Sequence, residues 1–284
     1  MGQAPPVVLS IAGFDPSAGA GITADIKTIA AHGCYGVSCI TALTVQSTAG
    51  VRRVETLPAG LVTSTLNELA ADFEIAAVKI GMLGSAEVVV AVAEFLEKHR
   101  PPHVVLDPIL KSSSGAQLLD NVGAKLMSQR LLPLATVITP NLDEAAVLAE
   151  MPVTDLEQMK AAAERLHELG AANVVVTGGH LEKPIDLLSY ATPDGDFQQQ
   201  TFKGERQRSN STHGTGCAFA SALACHLALG RTIPEAVLLA KAYVAAAIAH
   251  ASGLGRGVGP VDHLYRMHEQ PRRQTPVEDS ETVH

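Results

Sequence analysis

Short apolar runs bounded by glycine or proline alternate along this chain with longer stretches of helical spacing. Residues 7–12 (Val-Val-Leu-Ser-Ile-Ala) are almost wholly apolar and predict a buried strand. A glycine-rich loop at 13–21 follows, then a predicted helix over 23–31 that ends near Gly33. Strands are predicted over 37–45 and 51–57, and a helix over 61–69. From Ala77 the alternation turns regular: strand 78–81, helix 86–98, strand 103–107, a mostly helical 115–130, strand 136–139, helices 142–149 and 155–169, strand 173–177. Strands alternating with helices of this length predict βαβ units and a mainly parallel sheet covered on both faces. Residues 185–192 and 196–202 flank Pro193-Asp194-Gly195, a hairpin signal. A glycine turn then opens a helix that includes the small, apolar run 218–224, and another is predicted over 234–251. No repeat or linker divides the chain. Residues 1–268 therefore predict one α/β domain, and the polar stretch 269–284, with Pro271 and Pro276, predicts a disordered tail.

Composition narrows the function classes. At 284 residues and 46 % apolar, the chain can bury a sizeable core. A net charge of −8 argues against nucleic acid or an anionic membrane as partner, while leaving room for a small phosphorylated ligand. The four cysteines, Cys34, Cys39, Cys217 and Cys225, have no CxxC spacing, so a reduced, cytoplasmic protein is expected. The first residues lack a signal-peptide pattern, and Lys241 interrupts the best apolar run short of the ~20 residues a membrane span needs.

The stretch richest in chemistry is Ser211-Thr212-His213-Gly214-Thr215-Gly216-Cys217 and the small, apolar run after it. A glycine turn opening a helix aims several backbone N–H groups at one spot, and the helix dipole adds to that field, so the spot suits an anion. Cys217 in the first turn is expected to feel the same potential, with a lowered pKa and more thiolate to accept a proton. The competing reading is a tight loop with Cys217 as a small buried apolar residue.

Two acids stand at predicted strand ends, where open α/β sheets bind ligands. Asp107 closes the 103–107 strand, and Glu144 begins the helix after the 136–139 strand. Asn141 and Glu144 also fit a capping box. Alternatively, Glu144, Asp107 and water could hold Mg²⁺, which favours few carboxylates plus phosphate oxygens. Gln46 ends a strand, and its amide offers the paired donor and acceptor that an aminopyrimidine edge needs. Lys79 lies within an apolar strand and calls for a partner or for the strand's end. Lys241 either snorkels or reaches a phosphate. Gly19 to Ala24 satisfies G-x-G-x-x-A, but the glycines follow a long loop, and no acid occurs between Asp25 and Glu55 to hold a ribose. That disfavours a dinucleotide site. No P-loop, zinc-protease or serine-hydrolase motif is present.

In order and spacing, the chain resembles the hydroxymethylpyrimidine/phosphomethylpyrimidine kinase family of the ribokinase-like fold. The stretches that carry this are Ser10 to Ser17, Gly19 to Lys27, Ile40 to Leu43, Lys79 to Leu83, Leu106-Asp107-Pro108, Ile138 to Asn141 with Glu144, Thr177 to His180, Thr212 to Cys217 and Gly259-Pro260-Val261. The resemblance implies a three-layer α/β/α fold. It implies ATP with Mg²⁺ as phosphoryl donor, and two successive phosphorylations of a pyrimidine in thiamine biosynthesis. Gly13, Ala20, Gln46 and Met82 would then line the pyrimidine pocket. Asn141 and Glu144 would belong to the metal and phosphate site, with Asp107 beside them and Thr177 and Lys241 toward the nucleotide. Gly214, Thr215, Gly216 and Cys217 would form the anion hole. Sugar kinases of this fold carry Asp where Cys217 stands, and many relatives carry a small polar residue in place of Phe14. A homodimer is expected by analogy. The alternatives are a pyridoxine/pyridoxal kinase of the same fold and a non-catalytic metabolite-binding protein; the retained Cys217, Asn141, Glu144 and Asp107 argue against the latter.

Overall fold

The computed structural model describes residues 4–112, 115–179, 181–192, 194–204 and 209–268. Pro193 of the hairpin signal, His180 and the predicted tail 269–284 lie outside these. The elements run β1 (Val7–Phe14), α1 (Gly21–Ala31), β2 (Tyr35–Ser47), β3 (Gly50–Thr56), α2 (Ala59–Asp72), β4 (Ile75–Ile80), α3 (Ala86–His99) and β5 (Val104–Leu106). They continue α4 (Asn121–Leu126), β6 (Val137–Ile138), α5 (Leu142–Ala149), α6 (Leu156–Glu168) and β7 (Asn173–Val176). The last are β8 (Ile185–Ala191), β9 (Phe197–Lys203), α7 (Thr215–Ala228), α8 (Ile233–Ala249) and α9 (Tyr265–His268).

The strands form one sheet in the order β3-β2-β1-β4-β5-β6-β7-β8-β9. The six from β2 to β7 are parallel; β3, β8 and β9 add antiparallel edges. Successive strand residues face opposite layers. Leu9, Val78, Val104 and Leu106 pack with α2, α3, α5 and α6, whereas Val8, Ala77 and Val105 pack with α1, α7 and α8. This is the expected three-layer α/β/α arrangement with helices on both faces.

Strand order reverses between β1 and β4. The crevice outside their carboxyl ends is where an open α/β sheet receives ligands. Helix α7 packs across β1, β4 and β5 on one face.

One segment departs from its prediction by more than a shift of its ends. The segment expected to be mostly helical over 115–130 is α-helical only from Asn121, and then loosens into a π turn (Met127–Leu131) and a 3₁₀ turn (Leu132–Leu134). Before it, the N–H groups of Leu118 and Leu119 donate to Leu110 O at 2.9 and 3.3 Å, which holds that stretch against the loop after β5. Asp120 then caps the helix by accepting the Gly123 N–H at 2.7 Å.

Candidate active site

The glycine turn lies at the amino end of α7, which begins at Thr215 and so has Cys217 in its first turn, as predicted. Gly214 takes φ +82°, and a Cβ there would stand 1.8 Å from Gly19 O. Only glycine permits both that backbone and that approach. The turn is thereby seated on the β1–α1 loop. Gly216 is exposed, with open space where a Cβ would point, so its backbone is open to a ligand.

The thiol of Cys217 turns inward. It lies toward Asp107 and the Gly21 N–H. Burial pushes it up to about 12, with Asp107 and Asp25 adding to the rise and Lys79 opposing it. This overturns the expectation of a lowered thiol pKa. The helix amino end is present, but the fold brings two carboxylates to the sulfur, and their charge and the burial outweigh the dipole.

Beneath Cys217 is a charged knot. Lys79 on β4 and Asp25 on α1 are both fully buried, and Lys79 Nζ lies 3.0 Å from each Asp25 oxygen. Ser10 and Ser221 donate to the same carboxylate at 2.6 and 2.8 Å. Burial alone would lower the Lys79 ammonium, but Asp25, Cys217 and Asp107 hold it above its ordinary value. Sequence reasoning had Lys79 partnered but did not find Asp25. The signal was present: Asp25 sits on the buried stripe of α1 with Ile22, Ala24, Thr28 and Ile29.

Asp107 and Glu144 lie close enough for the charge of one to act on the other. Burial raises Asp107 to about 6, against the pull of Lys79. Burial, and then the charge of Asp107, raise Glu144 to about 8. The capping box is present as well: Asn141 Oδ1 accepts the Glu144 N–H, and Glu144 accepts the Asn141 N–H, each at 2.9 Å. Asp107 Oδ2 is buried and has no hydrogen-bond partner among the described residues. An unpartnered carboxylate oxygen beside a second carboxylate suits a hard divalent cation such as Mg²⁺. The two readings of Glu144, cap and candidate ligand, are therefore compatible.

The predicted nucleotide residues form an adjoining group. Asn141 pairs with Thr177 in a parallel bridge, and the Thr177 N–H donates to Pro140 O at 2.9 Å. Lys241 on α8 is ion-paired with Asp186, whose other oxygen accepts the Gly178 N–H at 3.0 Å. Its ammonium thus stands one residue from Thr177, held by a carboxylate.

The predicted ring pocket lies on the other side. A Cβ on Gly13 would stand 2.9 Å from Met82 Sδ, and a Cβ on Gly214 3.4 Å from Ala20 Cα. Gln46 Nε2 lies 3.3 Å from His213 Nε2, which lies 2.9 Å from Asp15 Oδ2. Asp15 also accepts from Ser17 N, Ser17 Oγ and Ala20 N at 2.8, 2.7 and 3.0 Å. Burial would raise its pKa, but these bonds, that of His213 foremost, hold it below the usual value. Sequence reasoning assigned no role to Asp15 or to the His213 side chain. Each lay in a quoted motif, but nothing local pairs residues 198 positions apart.

The phosphomethylpyrimidine kinase family model matches residues 15–262. This chain belongs to the phosphomethylpyrimidine kinase family. It is 41 % identical over 257 residues to the hydroxymethylpyrimidine/phosphomethylpyrimidine kinase of Haemophilus influenzae, covering 90 % of this chain and 96 % of that protein. It is 45 % identical over 259 residues to the thiamine biosynthesis bifunctional protein ThiED of Geobacter sulfurreducens, covering 90 % of this chain and about half (52 %) of that longer protein. Among solved structures it resembles an ADP complex of Bacillus subtilis pyridoxal kinase, with a TM-score of 0.84, 32 % identity, and coverage of 93 % of this chain and 100 % of that one. Membership makes the protein a phosphotransferase of ribokinase-like fold, and ATP is the expected donor for this family.

Proposed function

We propose that the protein phosphorylates 4-amino-5-hydroxymethyl-2-methylpyrimidine with ATP and then extends the monophosphate to the diphosphate, in thiamine biosynthesis. The observation that carries this reading is the shared wall between ring pocket and anion site. His213 faces Gln46 at 3.3 Å, and the next residue, Gly214, begins the turn that ends at Cys217. A ring held at Gln46, Gly13, Ala20 and Met82 would present its hydroxymethyl group toward that turn.

In the reaction the hydroxymethyl oxygen attacks the γ-phosphorus, the bond from that phosphorus to the β,γ-bridging oxygen breaks, ADP leaves, and the hydroxyl proton is lost. The N–H groups of Thr215, Gly216 and Cys217 would stabilise the transferring group, the chief requirement of phosphoryl transfer. Asn141, Thr177 and Lys241 would hold the nucleotide phosphates. Asp107 and Glu144 would hold Mg²⁺, which when bound neutralises phosphate charge. Cys217 is a thiol in the ligand-free protein. Its first contribution is therefore to position the hydroxyl, and proton acceptance must await the charges of the bound complex. A transition state that leaves little charge on the attacking oxygen tolerates this.

A second reading, pyridoxal phosphorylation, is favoured by the likeness to the pyridoxal kinase. Product analysis decides between them. With MgATP and the pyrimidine, mono- and then diphosphate are expected; phosphate appearing only on pyridoxal would transfer the assignment.

A further inference from the structure

The group formed by Asp15, His213, Gln46 and Thr44 sets the direction of one amide. Asp15, with its lowered pKa and four donors around it, is a pure acceptor. At 2.9 Å from it, His213 Nε2 must carry a hydrogen, because a bare lone pair would face a carboxylate. That one proton goes chiefly to Asp15, and it reaches the end of the Gln46 amide, at 3.3 Å, only as the longer branch of a shared bond. The other end of the amide lies 3.1 Å from Thr44 Oγ1, which also lies 3.0 Å from Phe14 O. A hydroxyl has one proton, and the Phe14 carbonyl can only accept it. Thr44 Oγ1 is then left with lone pairs for Gln46.

The two amide ends are told apart by the protons around them, not by their positions. An N–H on the His213 side calls for the amide oxygen there. A lone pair on the Thr44 side calls for the NH₂ there. The inventory then leaves one lone pair on Oε1 and one proton on Nε2 for a ligand.

We infer that His213, held by Asp15, and Thr44, held by Phe14, lock the Gln46 amide in one direction, and that this lock makes the pocket prefer an aminopyrimidine over pyridoxal. This rests on the reading that the site takes such a ring at Gln46. The two substrates present opposite patterns. Beside its hydroxymethyl carbon the pyrimidine shows an amino donor and then a ring-nitrogen acceptor. With the reacting hydroxymethyl groups superposed, pyridoxal shows a carbonyl acceptor and then a hydroxyl able to donate. A fixed amide matches one of these patterns and must turn over for the other. Turning it sets NH₂ against the His213 N–H. His213 and Thr44 are thus positioning residues for specificity.

The test is calorimetric titration of wild type, His213→Phe and Thr44→Val with the hydroxymethyl aminopyrimidine and with pyridoxal, each variant checked by circular dichroism. Wild type is expected to bind the pyrimidine more tightly. Either variant frees one end of the amide and is expected to reduce the ratio of the two dissociation constants about tenfold, the scale of one hydrogen bond. A structural defect would weaken both ligands together and leave the ratio unmoved. If removal of the His213 ring prevents folding, the near-isosteric Thr44→Val carries the test alone. An unchanged ratio in the folded variants, or tighter wild-type binding of pyridoxal, would overturn the lock while leaving the kinase assignment intact. A wild type that binds neither ring would overturn the pyrimidine reading and the lock with it.

Discussion

At the scale of single residues, Cys217 and Gln46 divide the work of the proposed site, and their substitutions should separate kinetically. Cys217 touches the reacting hydroxyl but not the ring in this reading, so Cys217→Ala is expected to lower kcat about 10²-fold with a much smaller change in KM. Steady-state kinetics with the pyrimidine would show it, and an unaltered kcat would remove Cys217 from the chemistry. Gln46→Leu leaves the polar ring edge unpaired. Calorimetry is expected to show weaker pyrimidine binding by about 1–3 kcal/mol, and equal affinity would mean that Gln46 does not read the ring. Both residues stand out as candidates in the sequence because each is at a local landmark, a strand end or a glycine turn. The state of the thiol was not legible. The dipole that acts on Cys217 is local, but Asp107 and Asp25 reach it only through the fold. The same holds for His213, whose partner Asp15 is remote in sequence and near in space.

At the scale of elements, the βα rhythm was read nearly as it folds. Helix α5, Leu142–Ala149, has the bounds its capping residues suggested. The start of the helical segment before β6 was placed too early because helical spacing continued through residues whose N–H groups pair with Leu110 instead. The contact that ties α1 and α7 to the sheet also escaped local reading, because it joins opposite charges 54 positions apart in the core. Lys79, Asp25, Ser10 and Ser221 form a closed set in which Asp25 has every contact it needs. Lys79→Met would leave that carboxylate buried without its cation. It is expected to cost about 3–5 kcal/mol, whereas Lys79→Met combined with Asp25→Leu should cost markedly less. Urea denaturation of the three proteins checks this; a double variant as unstable as the single would show that packing, not charge, dominates there.

At the scale of the whole molecule, buried titrating groups of opposite tendency couple stability to pH. His263 follows α8, is 3 % exposed, and has an Nε2 without a hydrogen-bond partner among the described residues. Burial, with Lys27 adding to it, lowers its pKa to about 4 from 6.5. The folded protein therefore keeps His263 neutral while the unfolded chain takes up a proton below 6.5. Its contribution is full above that pH and is lost as pH falls toward 4, at about 1.4 kcal/mol per pH unit. Glu144 and Asp107 work the other way. Their raised values mean that the folded state binds protons before the unfolded one does, so each gains stability on acidification through the same window. The wild-type profile is thus a partial cancellation, and a difference measurement isolates the histidine. His263→Leu removes a titrating group whose Nε2 makes no hydrogen bond among the described residues. Between pH 7 and 4.5 the variant is expected to lose about 2–3 kcal/mol less stability than wild type, read from urea midpoints at both pH values. Parallel losses in the two proteins would mean that His263 is already charged in the fold, and would require an acidic partner for it among its neighbours Asp25 and Asp262.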